Sequence, residues 1–374
     1  MRNALSRYLD QWRRPRPENA DFVPRARLRA EPWYVDRVTV DGTCLKAEGW
    51  SMPVDGSMPD DGGFTINGKR FDRIAYPLPR PDVGAVFWQR KGAALCGFAC
   101  EIDDVGDPYP NGVMEIRRVV DDTPRFERGR DSWFAPDPAL HSTLPDEDRR
   151  FRVIGDRDLR GFLVSGATDY HRMDRALVEA AGRHLHEFAH VLDWGVGCGR
   201  IARHFPRERA HALTGCDIDG DNIAWCAANL AGTFACSKLV PPLPFGDAGF
   251  DLVTGVSVFT HMREPMQLAW LDELARVTLP GAYLLMTTHG ETAIDFSRLA
   301  PAEYRQTRAR VAREGLVVSG TNTQLDGHAD HAGEYVNVYH DADYVRRTWG
   351  RRFDVLHILP GYILHHDLVV MRRR

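Results

Sequence analysis

The sequence lacks any apolar run near the roughly 20 residues that a membrane-spanning helix requires, so no membrane span is expected. It shows no apolar signal-peptide core close to its first residue either, and the expected compartment is the cytoplasm. Cysteine is sparse and unpaired. The seven residues are Cys44, Cys96, Cys100, Cys198, Cys216, Cys226 and Cys236, an odd number without the close pairs of a disulfide framework. No Cys-x-x-Cys occurs, which argues against a structural zinc site and leaves buried, reduced thiols as the expected state. Lysine is nearly missing: Lys46, Lys69, Lys91 and Lys238 are the four among 48 basic residues, and the rest are Arg. There is no excess of positive charge, because 48 basic residues face 52 acidic ones for a net −4, and nucleic acid is therefore a poor partner. The local Arg excess in residues 1–30 is diluted by Asp10, Glu18 and Asp21 and reads as a solvated tail.

What is present is enough chain for two domains, 374 residues with 43% hydrophobic content. After the tail, residues 31–125 read as a small all-β accessory domain, sandwich-like. "YVDRVTV" and "CLKAEGW" alternate polar and apolar residues about Asp41-Gly42, and "GFTINGKRFDRIAYP" does so about Asn67-Gly68. Residues 126–150, rich in Asp, Pro and Arg, are expected to be a linker. From 151 to 374 the pattern changes to strands alternating with helices, which implies a mostly parallel α/β sheet. Strands are expected at 190–194, 211–216, 251–257, 282–288, 353–359 and 364–372, and helices at 199–206, 219–230, 264–277, 301–314 and 341–349. Only Pro360-Gly361-Tyr362 joins the last two strands, so that pair must be antiparallel.

The stretch "VLDWGVGCGRIARHF" (191–205) places Gly195, Gly197 and Gly199 between a strand and an expected helix. Glycine lets a ligand approach the backbone, and a helix start offers free N–H groups to an anion. Asp217 ends the next strand, 18 residues beyond Gly199, where a carboxylate can accept both hydroxyls of a ribose. A dinucleotide and S-adenosylmethionine both fit that description. Arg200 stands where the dinucleotide fingerprint wants Gly or Ala, and the terminal hairpin is foreign to a standard dinucleotide fold.

With these blocks in order, the chain over roughly 150–374 resembles the class I S-adenosylmethionine-dependent methyltransferases. Leu192-Asp193-Trp194-Gly195-Val196-Gly197-Cys198-Gly199-Arg200 looks like the first motif, and Asp217 like the acidic ribose-binding residue. Phe250-Asp251-Leu252-Val253 looks like the fourth strand, and Arg276-Val277-x-x-Pro280-Gly281 like the turn into the fifth. The sequence departs from the pattern at Ala282, where many relatives have a second Gly, and at Phe234-Ala235-Cys236-Ser237, which lacks the usual Asp or Asn toward adenine. The resemblance implies a doubly wound seven-stranded sheet with a C-terminal antiparallel hairpin. It implies S-adenosylmethionine as cofactor, held by Asp193, Gly195, Gly197, Gly199, Asp217, Ile218 and Ser257. No metal is expected: His328 and His331 are three apart, but a third ligand in motif spacing is missing.

His261, in "SVFTHM" after the fourth strand, is the candidate general base, since its ordinary pKa of about 6.5 suits proton removal near neutrality. Its other reading is a histidine that orders the loop. His289 ends the fifth strand on the same edge and is read mainly as a loop hydrogen-bonder. Tyr170, His171 and Arg172 fall where relatives carry a lid helix over the cofactor, with surface residues as the alternative. Trp194 is read as packing, Asp219 as a helix N-cap, and Tyr335, Tyr339 and His340 as lining for an acceptor pocket. His365 and His366 are read as structural, one inward and one outward. Ser257-Val258-Phe259-Thr260 replaces the Asn/Asp-Pro-Pro-Tyr of amino-directed nucleic-acid methyltransferases, so a hydroxyl acceptor is preferred, with carboxylate or amine behind it. "AEGWSMP", "RPDVGAVFW" and "LCGFACEI" are similar to small β domains found beside glycan-assembly enzymes, which suggests a glycan precursor; dimerisation or covering the active site is the plainer role. A homo-oligomer stays open. The competing readings are an NAD(P)-dependent oxidoreductase, opposed by Arg200 and the hairpin, and a non-catalytic cofactor-binding module, opposed by the intact glycines and Asp217.

Overall fold

The computed structural model describes residues 32–52, 63–119, 129–141, 143–323, 325–326 and 334–374. The Arg-rich tail and His328 and His331 lie outside the described residues. The chain forms two units: residues 1–142 with 294–305, and residues 143–293 with 306–374.

The first unit contains β1 (Trp33–Asp41), β2 (Cys44–Ser51), β3 (Phe64–Ile66), β4 (Lys69–Arg70), β5 (Arg73–Pro79), the short helix α1 (Pro81–Val86), β6 (Leu95–Ile102), β7 (Val113–Arg118) and β8 (Ser132–Pro136). They make two four-stranded antiparallel sheets in the orders β1-β2-β6-β5 and β4-β3-β7-β8. The alternating text buries one face of strands such as β3 and β7, and Phe64 and Phe98 meet across the sheets with ring centroids 4.3 Å apart. Asn67 and Gly68 both take positive φ, as a two-residue hairpin turn requires. The first turn sits one residue later than expected, at Gly42-Thr43, because Asp41 pairs with Cys44. Part of the expected linker is sheet: Ile116 pairs with Trp133, so residues 132–136 complete the second sheet's edge. Residues 294–305 join this unit through a buried pair, Arg90 Nη2 to Asp295 Oδ2 at 2.6 Å. Asp295 also accepts from the Tyr304 hydroxyl.

The second unit contains α2 (Glu147–Ile154), α3 (Leu159–Ala181), β9 (Val191–Trp194), β10 (Leu213–Asp217), α4 (Gly220–Asn229), β11 (Thr233–Cys236), β12 (Phe250–Gly255), α5 (Glu264–Val277) and β13 (Thr278–Thr288). Helices α6 (Glu291–Phe296) and α7 (Pro301–Glu314) each fall partly in the 294–305 segment of the first unit, and after them the second unit continues with β14 (Leu316–Thr321), β15 (Val336–His340), α8 (Ala342–Trp349), β16 (Phe353–Ile363) and β17 (His366–Arg373). Seven strands form one sheet in the order β11-β10-β9-β12-β13-β17-β16, with β17 antiparallel to both neighbours. This is the doubly wound class expected. β9 has β10 on one side and β12 on the other, so strand order reverses there and a crevice opens at the carboxyl ends of β9 and β12. An indole-rich core holds the strands. Trp194, Trp270 and Trp349 are at most 3% exposed and pack with Phe259, Phe353, Val253 and Leu284. Among the described residues no helix is long and apolar enough to cross a membrane.

Two local expectations fail for identifiable reasons. No α-helix spans 199–206; only Ala202–His204 makes a 3-10 turn, ended by Phe205 in extended conformation before Pro206. The anion site expected at that helix start therefore has no helix behind it. β16 does not stop at Pro360. It continues through a register irregularity to Ile363, where the Gly361 N–H donates to Asp367 Oδ1 (3.0 Å) and Leu364-His365 forms the turn.

Candidate functional site

The glycine loop leaves β9 at Trp194. Gly195, Gly197 and Gly199 all have positive φ, 80°, 54° and 73°. Space closes around them as well: a Cβ on Gly197 would lie 2.7 Å from Val153 Cγ2, and one on Gly199 2.1 Å from Leu230 Cδ1. The loop is tied to β10 by Gly195 and Val196 N–H groups that both donate to the Cys216 carbonyl (2.8 and 3.0 Å). At the tip of β10, Asp217 accepts from the Gly197 N–H at 2.8 Å and the Asp219 N–H at 2.9 Å, one on each carboxylate oxygen. Burial pushes its carboxyl up, and those backbone donors work against the shift. Asp217 is half-buried and keeps a lone pair on each oxygen, which the two hydroxyls of a ribose could use. Ile218 follows, also half-buried. Asp193 lies deeper, where Thr254 Oγ1 donates to it at 3.1 Å and burial pushes its carboxyl up to about 6. Asp219 is the N-cap of α4, accepting from the Asp221 and Asn222 N–H groups.

Helix α2 reaches this loop and was not legible in the sequence. Arg152 Nε donates to Asp219 Oδ2 at 2.7 Å with both side chains buried, the Arg149 carbonyl accepts from Cys198 Sγ, and Val153 covers Gly197. The available signals were a capping Asp146 and a left-handed Gly155, which bracket the helix. The surface alternative for Tyr170 and Arg172 is corrected. Tyr170 and Arg172 are buried in α3, and Arg172 donates to the Tyr362 carbonyl of β16 at 3.0 Å.

Across the crevice, Ser257 sits past the end of β12 with φ 60°, held by its N–H donating to Thr287 Oγ1 at 2.7 Å. Its hydroxyl is 3.1 Å from His261 Nε2 and 3.1 Å from Thr260 Oγ1. His261 Nδ1 is 3.1 Å from the Val336 carbonyl, which can only accept, so Nδ1 carries the proton and Nε2 presents its lone pair to Ser257. Burial holds the imidazole down at about 4, hence neutral near pH 7. The Tyr335 ring lies 4.5 Å from the His261 ring; burial, and to a lesser degree Asp217, push its phenol up.

The remaining candidates separate. Trp194 packs on Phe259 and Trp270 at 5.1 and 4.9 Å. His340 is 2% exposed and bonded to Gln267, so it is a core residue and not pocket lining. His365 and His366 do not split inward and outward. The turn at Leu364 breaks the strand alternation, and both rings stack near His289 at 5.5 and 4.7 Å.

Residues 191–281 match a family model described as a methyltransferase domain. The fold was also compared with solved structures. An S-adenosylmethionine-dependent methyltransferase from Methanosarcina mazei is 20% identical, over 49% of this chain and 92% of that one, at a TM-score of 0.35. One from Mesorhizobium loti is 16% identical, over 49% and 90%, at 0.36. Magnesium protoporphyrin IX methyltransferase from Synechocystis, with bound S-adenosylhomocysteine, is 17% identical, over 61% and 94%, at 0.37.

Proposed function

We propose that the chain is a class I S-adenosylmethionine-dependent methyltransferase and that it transfers the methyl to a hydroxyl oxygen of a small molecule or glycan precursor, in the cytoplasm. One observation carries the choice of oxygen: a neutral imidazole, His261, whose Nε2 lone pair is engaged by a hydroxyl at the crevice edge. Asp217 would hold the ribose, with Ile218 beside it. Gly195, Gly197 and Gly199 would let the cofactor lie along the backbone, Asp193 would brace the loop from below, and Ser257 would border the sulfonium end. When bound, S-adenosylmethionine supplies a methyl already made electrophilic by its sulfonium charge.

The protein's part is alignment and proton handling. The acceptor hydroxyl takes the place of the Ser257 hydroxyl at His261 Nε2. As the methyl is transferred to that oxygen, His261 Nε2 would receive the hydroxyl's proton and pass it to water. A base held at about 4 is weak toward a free alcohol. It is sufficient for the oxonium that methyl transfer creates, which is a strong acid. The Val336 carbonyl keeps Nδ1 protonated, so the other nitrogen faces the substrate. The low net charge and the absence of a basic-aromatic stripe support a small acceptor over nucleic acid.

The test is transfer of labelled methyl to a panel of sugars and other hydroxylated compounds, by wild type and His261→Asn. The expected loss of turnover in the variant is about 10²–10⁴-fold, with S-adenosylmethionine affinity retained. Undiminished turnover removes His261 as base, and labelling confined to amines removes the hydroxyl reading.

A further inference from the structure

Three histidines that the methyl-transfer reading leaves idle are gathered at the carboxyl edge of the sheet. β13 and β17 pair antiparallel, with Thr288 opposite Asp367. The next positions out are His289 and His366, and their rings stack with centroids 4.7 Å apart and planes 8° from parallel. The two-residue turn before β17, with Leu364 at φ 55°, returns His365 to the same place, 4.2 Å from His366 and 5.5 Å from His289. One ring nitrogen from each of the three lies within 4.8 Å of the others.

The surroundings are those of ligands more than of filler. A cluster kept for packing is ordinarily apolar, because each desolvated imidazole must be compensated. His366 is 8% exposed, and its buried Nε2 finds no hydrogen-bond partner among the described residues. His289 is hydrogen-bonded to the backbone of Val338, which occupies one nitrogen, sets the tautomer and leaves the other available; metal-ligating histidines are commonly oriented this way. Among the described residues neither thiolate nor carboxylate belongs to the group, and an all-imidazole set suits zinc-like transition ions over magnesium or calcium.

We infer that His289, His365 and His366 bind one divalent transition-metal ion of the zinc class, with a coordination position left open. Three histidines plus an open position is a donor set that holds zinc for chemistry, not only for structure. Closing on the ion brings the nitrogens to roughly 3.3 Å from one another, the spacing set by bonds of about 2.0–2.1 Å, by rotation of the stacked rings. The His289 ring is 6.2 Å from that of His261 and 6.1 Å from that of Tyr339, so the open position adjoins the crevice. Resting on the proposed methyl transfer to oxygen, the inference extends to substrate: the acceptor presents an oxygen that the ion polarises while His261 receives its proton. The expectation of no metal was drawn from the family resemblance and from His328 and His331, which lie outside the described residues.

The experiment uses the untagged full-length chain, stripped with a chelator and titrated with Co²⁺, then competed with Zn²⁺. Wild type is expected to give the visible bands of four-coordinate Co²⁺, saturating at one equivalent and displaced by Zn²⁺. In His289→Gln/His366→Gln, affinity is expected to fall by more than the roughly 10–100-fold that loss of an outer-shell partner costs. His328→Gln/His331→Gln is expected to bind as wild type. S-adenosylmethionine titration of each variant reports folding, and His365→Ala, changed only at the turn, serves if the double variant does not fold. No bands with wild type, or undiminished binding after loss of these ligands, overturns the site. Bands with methyl transfer indifferent to the ion overturn the acceptor extension alone. Failure of methyl transfer to any hydroxyl, with the bands intact, refutes the proposed function and not the metal site.

Discussion

Replacing His340 by Gln is expected to make the protein's stability less sensitive to acid by about 2 kcal/mol between pH 7 and pH 5. Gln267 Nε2 donates its two protons to the Phe259 and Met262 carbonyls, at 3.0 and 2.9 Å. His340 Nε2 faces both ends of the same amide, 2.9 Å from Gln267 Nε2 and 3.2 Å from its Oε1. His340 Nδ1 is buried and finds no partner among the described residues. A second ring proton makes a buried cation with nothing opposite it, and burial holds the imidazole down at about 3. An unfolded histidine titrates near 6.5. The contribution of neutral His340 is therefore complete above about pH 6.5 and is lost progressively as pH falls toward about 3. From pH 7 to pH 5 that loss is about 2 kcal/mol, or about 30-fold in the folding constant. The wild-type profile alone does not isolate it. Asp193 and Asp367, pushed up to about 6 and about 7 by burial, take up protons in the fold and act in the opposite sense over the same range. The readout is thus the difference between His340→Gln and wild type in urea unfolding at pH 7, 6 and 5. A difference that does not move with pH refutes the argument that His340 is buried neutral.

Other changes probe the cofactor side. Gly199→Ala forces a side chain at φ 73° into Leu230, and a loss of roughly 2–4 kcal/mol with weakened S-adenosylmethionine binding is expected by thermal unfolding and calorimetry. Asp217→Lys is expected to abolish S-adenosylmethionine affinity; unchanged heat of binding for Asp217→Ala would remove the ribose assignment. Arg152→Ala leaves the 1% exposed Asp219 carboxylate without its buried cation, and a stability loss of about 3–5 kcal/mol is expected in urea, with a negligible loss counting against α2 as the brace of the loop.

Much of the second unit was legible because its signals are local. Strand and helix text alternates, Asp217 ends a strand, and Asp219 caps the next helix through its own side chain. The antiparallel final pair followed from connection length, and the turn at Asn67-Gly68 from residues that tolerate positive φ. The site residues His261 and Ser257 were marked by position after the fourth strand. What the sequence did not reveal depends on groups far apart in the chain. The helix Glu147–Ile154 is a charged segment whose value lies in Val153 over Gly197 and Arg152 on Asp219, contacts that exist only once the loop and α4 are in place. Residues 132–136 look like linker until β7 offers them an edge to pair with. His289, His365 and His366 carry no spacing signal at all: the register of β13 against β17 brings two together, and one turn adds the third. Local pattern therefore determined many of the second unit's elements and pointed to a cofactor class. Tertiary structure alone decided which titratable groups are stripped of water and face one another, because desolvation and strand register act between residues that the sequence holds far apart.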